Sequence, residues 1–319
     1  MLNHSEHLKS GASFPVALKL KSRKKQKIKE VGILGSLGTA TLLSVFVTLT
    51  IIVVLGFETV QFFQQDEVSI REFFTTTQWN PLLGSEKHFG IWPLVCGTFL
   101  VAGIALVVAV PFGLLTAVYL SEYAHPRVRS ILKPALEVLA GIPTVVYGFF
   151  ALTIITPGLK TLHEGFGSYN ALSAGLAVGV LILPTVTSLS EDALKAVPGS
   201  LREGALGLGA TKFDVSTKIV FPAALSGIVS AVLLSAARAI GETMIVALAA
   251  GSTPRVTLDA REEIQTMTGF MVQMALGDVS NYGVEYLSMY AVAFILFSLT
   301  LIFTLIGAWI RKRFREVYE

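Results

Sequence analysis

An arginine and a glutamate lie four residues apart inside an apolar stretch of the sequence. Arg238 and Glu242 fall in the segment SAARAIGETM, residues 235–244. A charge at the centre of a membrane helix costs at least about 2.5–3.5 kcal/mol, so it must face other helices or water. At this spacing the two side chains share a helical face. Arginine offers a planar fork of donors that suits oxyanions, and a nearby carboxylate would moderate its affinity. We interpret the pair as part of an anion pathway. The alternative is a self-neutralised pair that fixes helix packing.

A second polar set occupies residues 190–222 and predicts a rigid surface element. Ser200 precedes Glu203 by three residues, which is the spacing of a capping box, so a short helix is expected to begin near Leu201. Gly209 suits the end of that helix, because glycine accepts the left-handed conformation there. The segment therefore predicts a helix closed by a glycine.

The same segment continues with a second helix start. Thr211 and Asp214 repeat the capping spacing, and Pro222 then opens the next apolar stretch. The expected order is helix, glycine break, helix. From this chemistry alone, the segment could also be two capped helices that merely connect spans.

The composition points to an integral membrane protein. The chain has 319 residues, of which 53% are hydrophobic and 15% charged, against roughly 25% charged residues in ordinary soluble domains. This excludes a disordered chain, a disulfide scaffold and a soluble nucleic-acid binder. Six stretches are long enough to span a bilayer core of about 30 Å. They cover 32–57, 93–120, 131–156, 172–189, 223–251 and 287–310.

The distribution of lysine and arginine predicts the orientation of the spans. With both termini on one side, that side collects 19 of the 25 basic residues and the other side five. The positive-inside rule then places both termini in the cytoplasm. The expected organisation comprises a basic cytoplasmic leader, a first transmembrane helix, an extracytoplasmic loop, a five-helix core and a basic tail. These are residues 1–31, 32–57, 58–92, 93–310 and 311–319.

The second long outside loop covers residues 252–286 and contains a short apolar helix. Residues 265–276 place Met267, Phe270, Met271 and Met274 on one helical face. A gate or a docking surface would fit this pattern. An interfacial helix is the default prediction.

Nothing in the sequence indicates catalysis, a metal or a cofactor. None of the five histidines pairs with another histidine or with the single Cys96 at metal-ligand spacing inside a predicted helix. No G-x-x-x-x-G-K-S/T loop is present, so the chain is not expected to hydrolyse ATP itself.

The loop 198–222 resembles the EAA loop of ABC-importer permeases. Glu203, Gly204 and Ala205 stand for E-A-A, Gly209 follows at the family's spacing, and I-V-F-P at 219–222 stands for I-x-L-P, ending at Pro222. Gly204 and Phe221 are mild departures from the family pattern. The resemblance implies that the first short helix, capped by Ser200, is a coupling helix that docks on an ATP-hydrolysing subunit. By the same resemblance, Glu203, Ala205 and Gly209 carry this role.

Further segments resemble the phosphate ABC-transporter permeases of the PstC type. They are LAGIPTVVYGFF at 139–150, RAIGETM at 238–244, QTMTGF at 265–270 and WNP at 79–81. The resemblance implies an all-α, six-helix bundle of the type I importer kind in the bacterial inner membrane. It also implies a paralogous PstA-type permease, a pair of ATPase subunits that use the ATP, and an extracytoplasmic phosphate-binding protein as partners.

The function implied is therefore half of an ATP-driven pathway for inorganic phosphate. Three alternatives remain open at this point. One is a permease for another oxyanion, such as molybdate or sulfate. Another is an ATP-independent anion carrier or channel, and the third is a membrane receptor that senses phosphate without moving it.

Overall fold

In the computed structural model, the described residues are 16–81, 87–277 and 283–313. They are almost entirely helical. The helices are α1 (Val16–Phe63), α2 (Ile70–Thr75), α3 (Trp92–Val118), α4 (Pro126–Gly141), α5 (Thr144–Phe150), α6 (Thr156–Leu162), α7 (Ala171–Lys195), α8 (Gly199–Gly207), α9 (Lys212–Asp214), α10 (Phe221–Ala223), α11 (Leu225–Ile240), α12 (Met244–Ala249), α13 (Met267–Leu276) and α14 (Val284–Arg313). Strands β1 (Trp79–Asn80) and β2 (His88–Phe89) form one antiparallel pair. Three π-helical segments, Tyr119–Tyr123, Ala151–Ile155 and Val215–Val220, connect consecutive helices.

The chain forms two compact units, Met1–Val54 and Leu55–Glu319. The first contains most of α1. In its candidate span, Lys29–Phe63, no residue of the most apolar stretch is buried against other parts of the protein. Such a surface needs lipid or a partner around it. Predictions for residues 1–15 of the leader and 314–319 of the tail lie outside the described residues.

Five described helical segments are long and apolar enough to cross a membrane. They are Lys29–Phe63, Trp92–Tyr123, Thr144–Leu162, Ala171–Lys195 and Val284–Arg313. A sixth span exists if Lys212–Ala223 and Leu225–Ile240, which are bent by 67° at the junction, cross together. The prediction of an all-α, six-helix membrane bundle is confirmed in this sense.

The second unit is built on the packing of α3 against α7. Two glycines on α7 make the close approach possible, because a Cβ on Gly175 would lie 2.6 Å from the Ile104 side chain and one on Gly179 would lie 3.2 Å from the Ala105 carbonyl oxygen. The core along this seam consists mainly of alanine, valine, leucine and isoleucine. Asn170 caps the N-terminus of α7, because its side chain accepts a hydrogen bond from the Ser173 amide at 2.8 Å.

The predicted third span, 131–156, is wrong in its boundaries. α4 ends at Gly141, and α5 begins only after the extended residues Ile142 and Pro143. Proline disfavours a helical conformation in the residue before it, so the helix stops there. α4 has no buried residue and is amphipathic, whereas the spanning segment is Thr144–Leu162.

The predicted fifth span, 223–251, is interrupted twice. α10 ends at Ala223, α11 covers Leu225–Ile240, and α12 begins at Met244. The second interruption follows Gly241, which ends α11. This break lies between the two charged residues that the sequence placed on one continuous helix.

The interfacial-helix prediction for 265–276 is also wrong. α13 packs Met267, Phe270 and Met274 into a buried cluster with residues of the segment between α1 and α3. We call this cluster the aromatic end. Its aromatic members are Phe62, Phe73, Trp79, Phe89 and Phe270. Their edge-to-face packing, with the rings of Trp79 and Phe270 4.9 Å apart, explains why the apolar face of α13 is buried in protein.

Candidate functional site

Arg238 lies in the last turn of α11 and is exposed. Its Nη1 donates a hydrogen bond to Thr185 Oγ1 on α7 at 3.0 Å. It is the one charged residue of α11, which is otherwise built of apolar and small side chains. Within the described ranges no carboxylate forms an ion pair with it. The guanidinium therefore retains donors that are available to a ligand, since it carries five N–H groups.

Glu242 lies beyond the end of α11, just before the start of α12. Its Oε1 accepts hydrogen bonds from the amides of Met244 at 3.1 Å and Ile245 at 3.3 Å. The residue is 8% exposed. A carboxylate is favoured at a helix N-terminus by the unpaired amides and the helix dipole. The expected shared face with Arg238 is absent because the helix ends between them, so Glu242 fixes the start of α12.

The break after α11 is tied to the aromatic end. Thr268 Oγ1 donates to the Glu242 carbonyl oxygen at 2.6 Å. The Met267 amide donates to Thr98 Oγ1 on α3 at 3.0 Å. The first turn of α13 is thus hydrogen-bonded both to α3 and to the residues that follow α11. Sequence reasoning missed Thr98, because a lone threonine in an apolar run gives no indication of a partner 169 residues away.

The loop 198–222 forms the predicted helix, glycine break and helix. Gly209 has a φ of +86°, a conformation that glycine adopts without strain. The Thr211 side chain accepts a hydrogen bond from the Asp214 amide at 3.2 Å, so the second cap is confirmed. The capping box at Ser200 is wrong: α8 begins at Gly199 after Pro198, and its N-cap makes no side-chain hydrogen bond.

α8 has one buried face and one exposed face. Ala205 is 8% exposed and packs in an apolar cluster with the ends of α3 and α7. Glu203 and Gly204 are exposed. Leu208, just after the helix, is 91% exposed. We call α8, its flanking residues and this cluster the coupling end.

Arg202 fastens α8 to the rest of the bundle. Its guanidinium lies 3.0 Å from Glu122 Oε1 through Nη2 and 3.3 Å from Oε2 through Nε. It also donates to the carbonyl oxygens of Val197 at 2.6 Å and Leu194 at 2.8 Å. The Glu122 side chain is only 8% exposed. These contacts connect α8 to the π-helical turn after α3 and to the end of α7.

A buried carboxylate at the same end holds three cations. Glu191 on α7 is 1% exposed, and Arg129 Nη2 lies 3.0 Å from its Oε1. Lys133 Nζ lies 3.8 Å from its Oε2, and Lys195 forms an ion pair with Oε1. Both this cluster and Arg202 escaped sequence reasoning, because their partners come from separate helices. Within the described ranges no three His, Cys, Asp or Glu side chains could hold a metal ion.

The described helices form the bundle of a multi-pass membrane protein. The family described as "Binding-protein-dependent transport system inner membrane component" matches residues 109–316. A chain of a bacterial ABC transporter involved in the import of the acidic polysaccharide alginate superposes with a TM-score of 0.61. It is 14% identical, and the match covers 92% of this chain and 100% of that one. This likeness shows the type I ABC-importer fold.

The chain belongs to this family of binding-protein-dependent inner membrane components. It is 31% identical over 294 residues to a probable ABC transporter permease protein, YqgH, of Bacillus subtilis, covering 92% of this chain and 94% of the relative. It is also 31% identical over 263 residues to the phosphate transport system permease protein PstC of Mesorhizobium japonicum, covering 76% and 78%. The resemblance to phosphate permeases of the PstC type is confirmed. The protein is a multi-pass membrane permease of an ABC importer.

Proposed function

We propose that this permease forms half of an ATP-driven pathway for inorganic phosphate, with Arg238 as an anion contact. The accessible guanidinium of Arg238 is the observation that carries the proposal. It stands on an apolar helix, is oriented by Thr185 at 3.0 Å, and has no carboxylate of the described chain as a counter-ion. Planar guanidinium donors match the geometry of phosphate oxygens. The PstC relative at 31% identity supports phosphate over other anions.

Glu242 contributes to the pathway by geometry. Because its carboxylate caps α12 through the Met244 and Ile245 amides, it fixes where α11 stops. A fixed end keeps the Arg238 side chain at one depth. Movement of this break would change the side from which the guanidinium is accessible, as alternating access requires.

The coupling end supports docking on a separate ATPase subunit. Glu203 and Gly204 are exposed next to Leu208, while Ala205 anchors the helix in the bundle. Gly209 turns the chain sharply after the helix, and Pro222 lies in the first turn of the short helix that leads into α11. Ser200 lies on the exposed surface of α8. A force applied to α8 would reach α11 through this continuous segment.

The proposed assembly follows from the family and from the charge distribution. The segments that flank α8 would lie in the cytoplasm, together with both termini, because this side carries 19 of the 25 basic residues. A PstA-type permease would supply the other half of the pathway in the bacterial inner membrane. A pair of ATPase subunits and an extracytoplasmic phosphate-binding protein would complete the complex.

Uptake of labelled phosphate tests this function. The complex would be expressed in cells that lack their own high-affinity phosphate uptake, with unlabelled phosphate, sulfate or molybdate as competitors. We expect uptake that only phosphate suppresses and that stops when ATP is depleted. Suppression by molybdate or sulfate would assign another oxyanion, and uptake that survives ATP depletion would indicate an ATP-independent carrier. Intact phosphate-dependent signalling without any uptake would indicate a receptor.

A further inference from the structure

A cavity beside the coupling end is lined by cationic side chains whose charge the neighbouring carboxylates do not fully neutralise. It has a volume of about 490 Å³ and lies between α4 and the turn after α3. Arg129, Ser130, Lys133 and Glu137 line it from α4. Arg129 and Lys133 are also two of the three cations that contact the buried Glu191. The cavity therefore borders the cluster directly.

The charges of this cluster do not balance. Glu191 supplies one negative charge to Arg129, Lys133 and Lys195, which leaves two positive charges in excess at contact distance. Glu137, one helical turn beyond Lys133 on the cavity wall, supplies one further negative charge. The three cations still have 39%, 36% and 28% of their side chains exposed, so they can reach a ligand.

The donors in the cluster suit a phosphate group. Within the described part of the chain, the Arg129 guanidinium uses Nη2 toward Glu191, which leaves other N–H groups for a second acceptor. Lys133 approaches the carboxylate only at 3.8 Å and remains able to turn toward the cavity. A guanidinium fork beside an ammonium group is a recurrent arrangement for binding phosphate oxygens.

We propose that Arg129 and Lys133, held by Glu191, form a second oxyanion site that binds a phosphate group at the coupling end. The ligand is either free inorganic phosphate or the headgroup of an anionic phospholipid, which the exposed apolar side chains of α4, such as Ile131 and Val138, would bring nearby. The site is separate from Arg238 and does not require phosphate to be the transported substrate.

Two binding measurements on the full chain test the site and distinguish its sources. The chain would carry Arg238→Gln, so that the pathway contact is removed, and would be reconstituted in lipid nanodiscs. Equilibrium dialysis with labelled inorganic phosphate in phosphatidylcholine measures the free ligand. Native mass spectrometry after reconstitution with phosphatidylglycerol counts the retained anionic lipid.

If the cluster is a binding site, removing its cations and removing its carboxylate should change binding in opposite directions. Arg129→Gln/Lys133→Gln should reduce binding in one of the two measurements at least tenfold, whereas Arg127→Gln, an exposed cation on the same helix, should leave it unchanged. Glu191→Gln removes the competing negative charge and should strengthen binding about threefold or more, as a unit charge several ångströms away does near a protein surface. A purely structural cluster predicts no such gain.

Three results would overturn the proposal. They are no binding of either ligand by the Arg238→Gln chain, equal binding by the Arg129→Gln/Lys133→Gln variant, and unchanged or weaker binding in a folded Glu191→Gln chain. Failure of phosphate uptake would contradict the transport function without affecting these outcomes, because the dialysis and lipid counts do not depend on transport.

Discussion

The aromatic end and the coupling end lie at opposite ends of α3 and are stabilised by different forces. At the aromatic end, rings pack edge to face and Phe62, Phe73, Trp79 and Phe89 are at most 2% exposed. At the coupling end, Arg202 and Glu191 hold the helices together through ion pairs, and Leu208 is 91% exposed. Close apolar packing has few alternative arrangements, whereas ion pairs and an exposed surface can exchange partners. We infer that the aromatic end is the rigid one and that the coupling end receives a partner and moves.

The largest effect is expected from removing a ring of the aromatic end. Trp79→Ala should destabilise the protein by about 3–5 kcal/mol, because it leaves a cavity where the ring contacts Phe89 and Phe270. Thermal unfolding of the detergent-solubilised chain would measure the loss. Trp79→Phe, which keeps a ring, is the matched control. Equal unfolding midpoints for Trp79→Ala and the wild type would show that this packing is not the rigid part.

A smaller loss of stability, with a distinct functional effect, is expected at Arg202. Arg202→Met leaves Glu122 without its ion-pair partner and should cost about 1.5–3 kcal/mol, the range for a hydrogen bond to a charged group. It should also reduce the number of phosphate ions imported per ATP hydrolysed, since α8 is no longer tied to the turn after α3. The two measurements are thermal unfolding and the ratio of uptake to ATPase activity.

A double variant separates these two effects. Arg202→Met/Glu122→Leu removes both charges, so it should recover stability while the ratio of uptake to ATPase activity stays low. Recovery of both would make the ion pair a purely structural contact and would remove one difference between the two ends.

Next in size is an effect at the exposed leucine of the coupling end. Leu208→Ala should weaken binding of the ATPase subunit by about 1.5 kcal/mol, or roughly tenfold, because a leucine buried in the complex loses that much apolar contact. Co-purification of the ATPase subunit at graded concentrations measures the change. Leu258→Ala, at a leucine that is 83% exposed in the loop 252–264, is the control and should have no effect. Equal losses in both variants would argue against a docking surface at α8.

The smallest effect is expected in acid, in the loop that precedes α13. The Arg261 guanidinium hydrogen-bonds the Asp259 carboxylate and lowers the pKa of Asp259 to about 2. A lowered pKa adds stability that is fully present above the ordinary range of aspartate and is lost as the pH falls through about 2. Thermal midpoints of Asp259→Asn should therefore decrease less than those of the wild type between pH 4 and pH 2.

The matched control for this change is another exposed aspartate. Asp66→Asn should follow the wild-type profile. If Asp259→Asn and the wild type share one acid profile, the Asp259–Arg261 contact contributes nothing, which is the limit expected for exposed ion pairs.

Sequence reasoning succeeded where the information is local. The turn at Gly209 and the cap at Thr211 follow from residue chemistry within a few positions, and the structure has both. The apolar runs predicted the membrane bundle in the same way.

Sequence reasoning failed where a proline or glycine breaks an apolar helix and where residues far apart in the sequence come into contact. Pro143 divided a predicted span, and the break after Gly241 separated Glu242 from Arg238. The Arg202–Glu122 contact joins residues 80 positions apart, and the Glu191 cluster joins α4 to α7. No spacing rule within one helix could have predicted these pairs.

The proposed pathway depends on contact between the exposed guanidinium of Arg238 and the transported anion. Labelled phosphate uptake by the assembled complex with Arg238→Gln tests it most directly, with membrane levels matched to the wild type. Uptake should fall at least tenfold, while Arg238→Lys, which keeps the charge but loses the planar fork, should retain part of it. Wild-type uptake by Arg238→Gln would exclude an anion contact at this residue and would leave Arg238 as a packing residue hydrogen-bonded to Thr185.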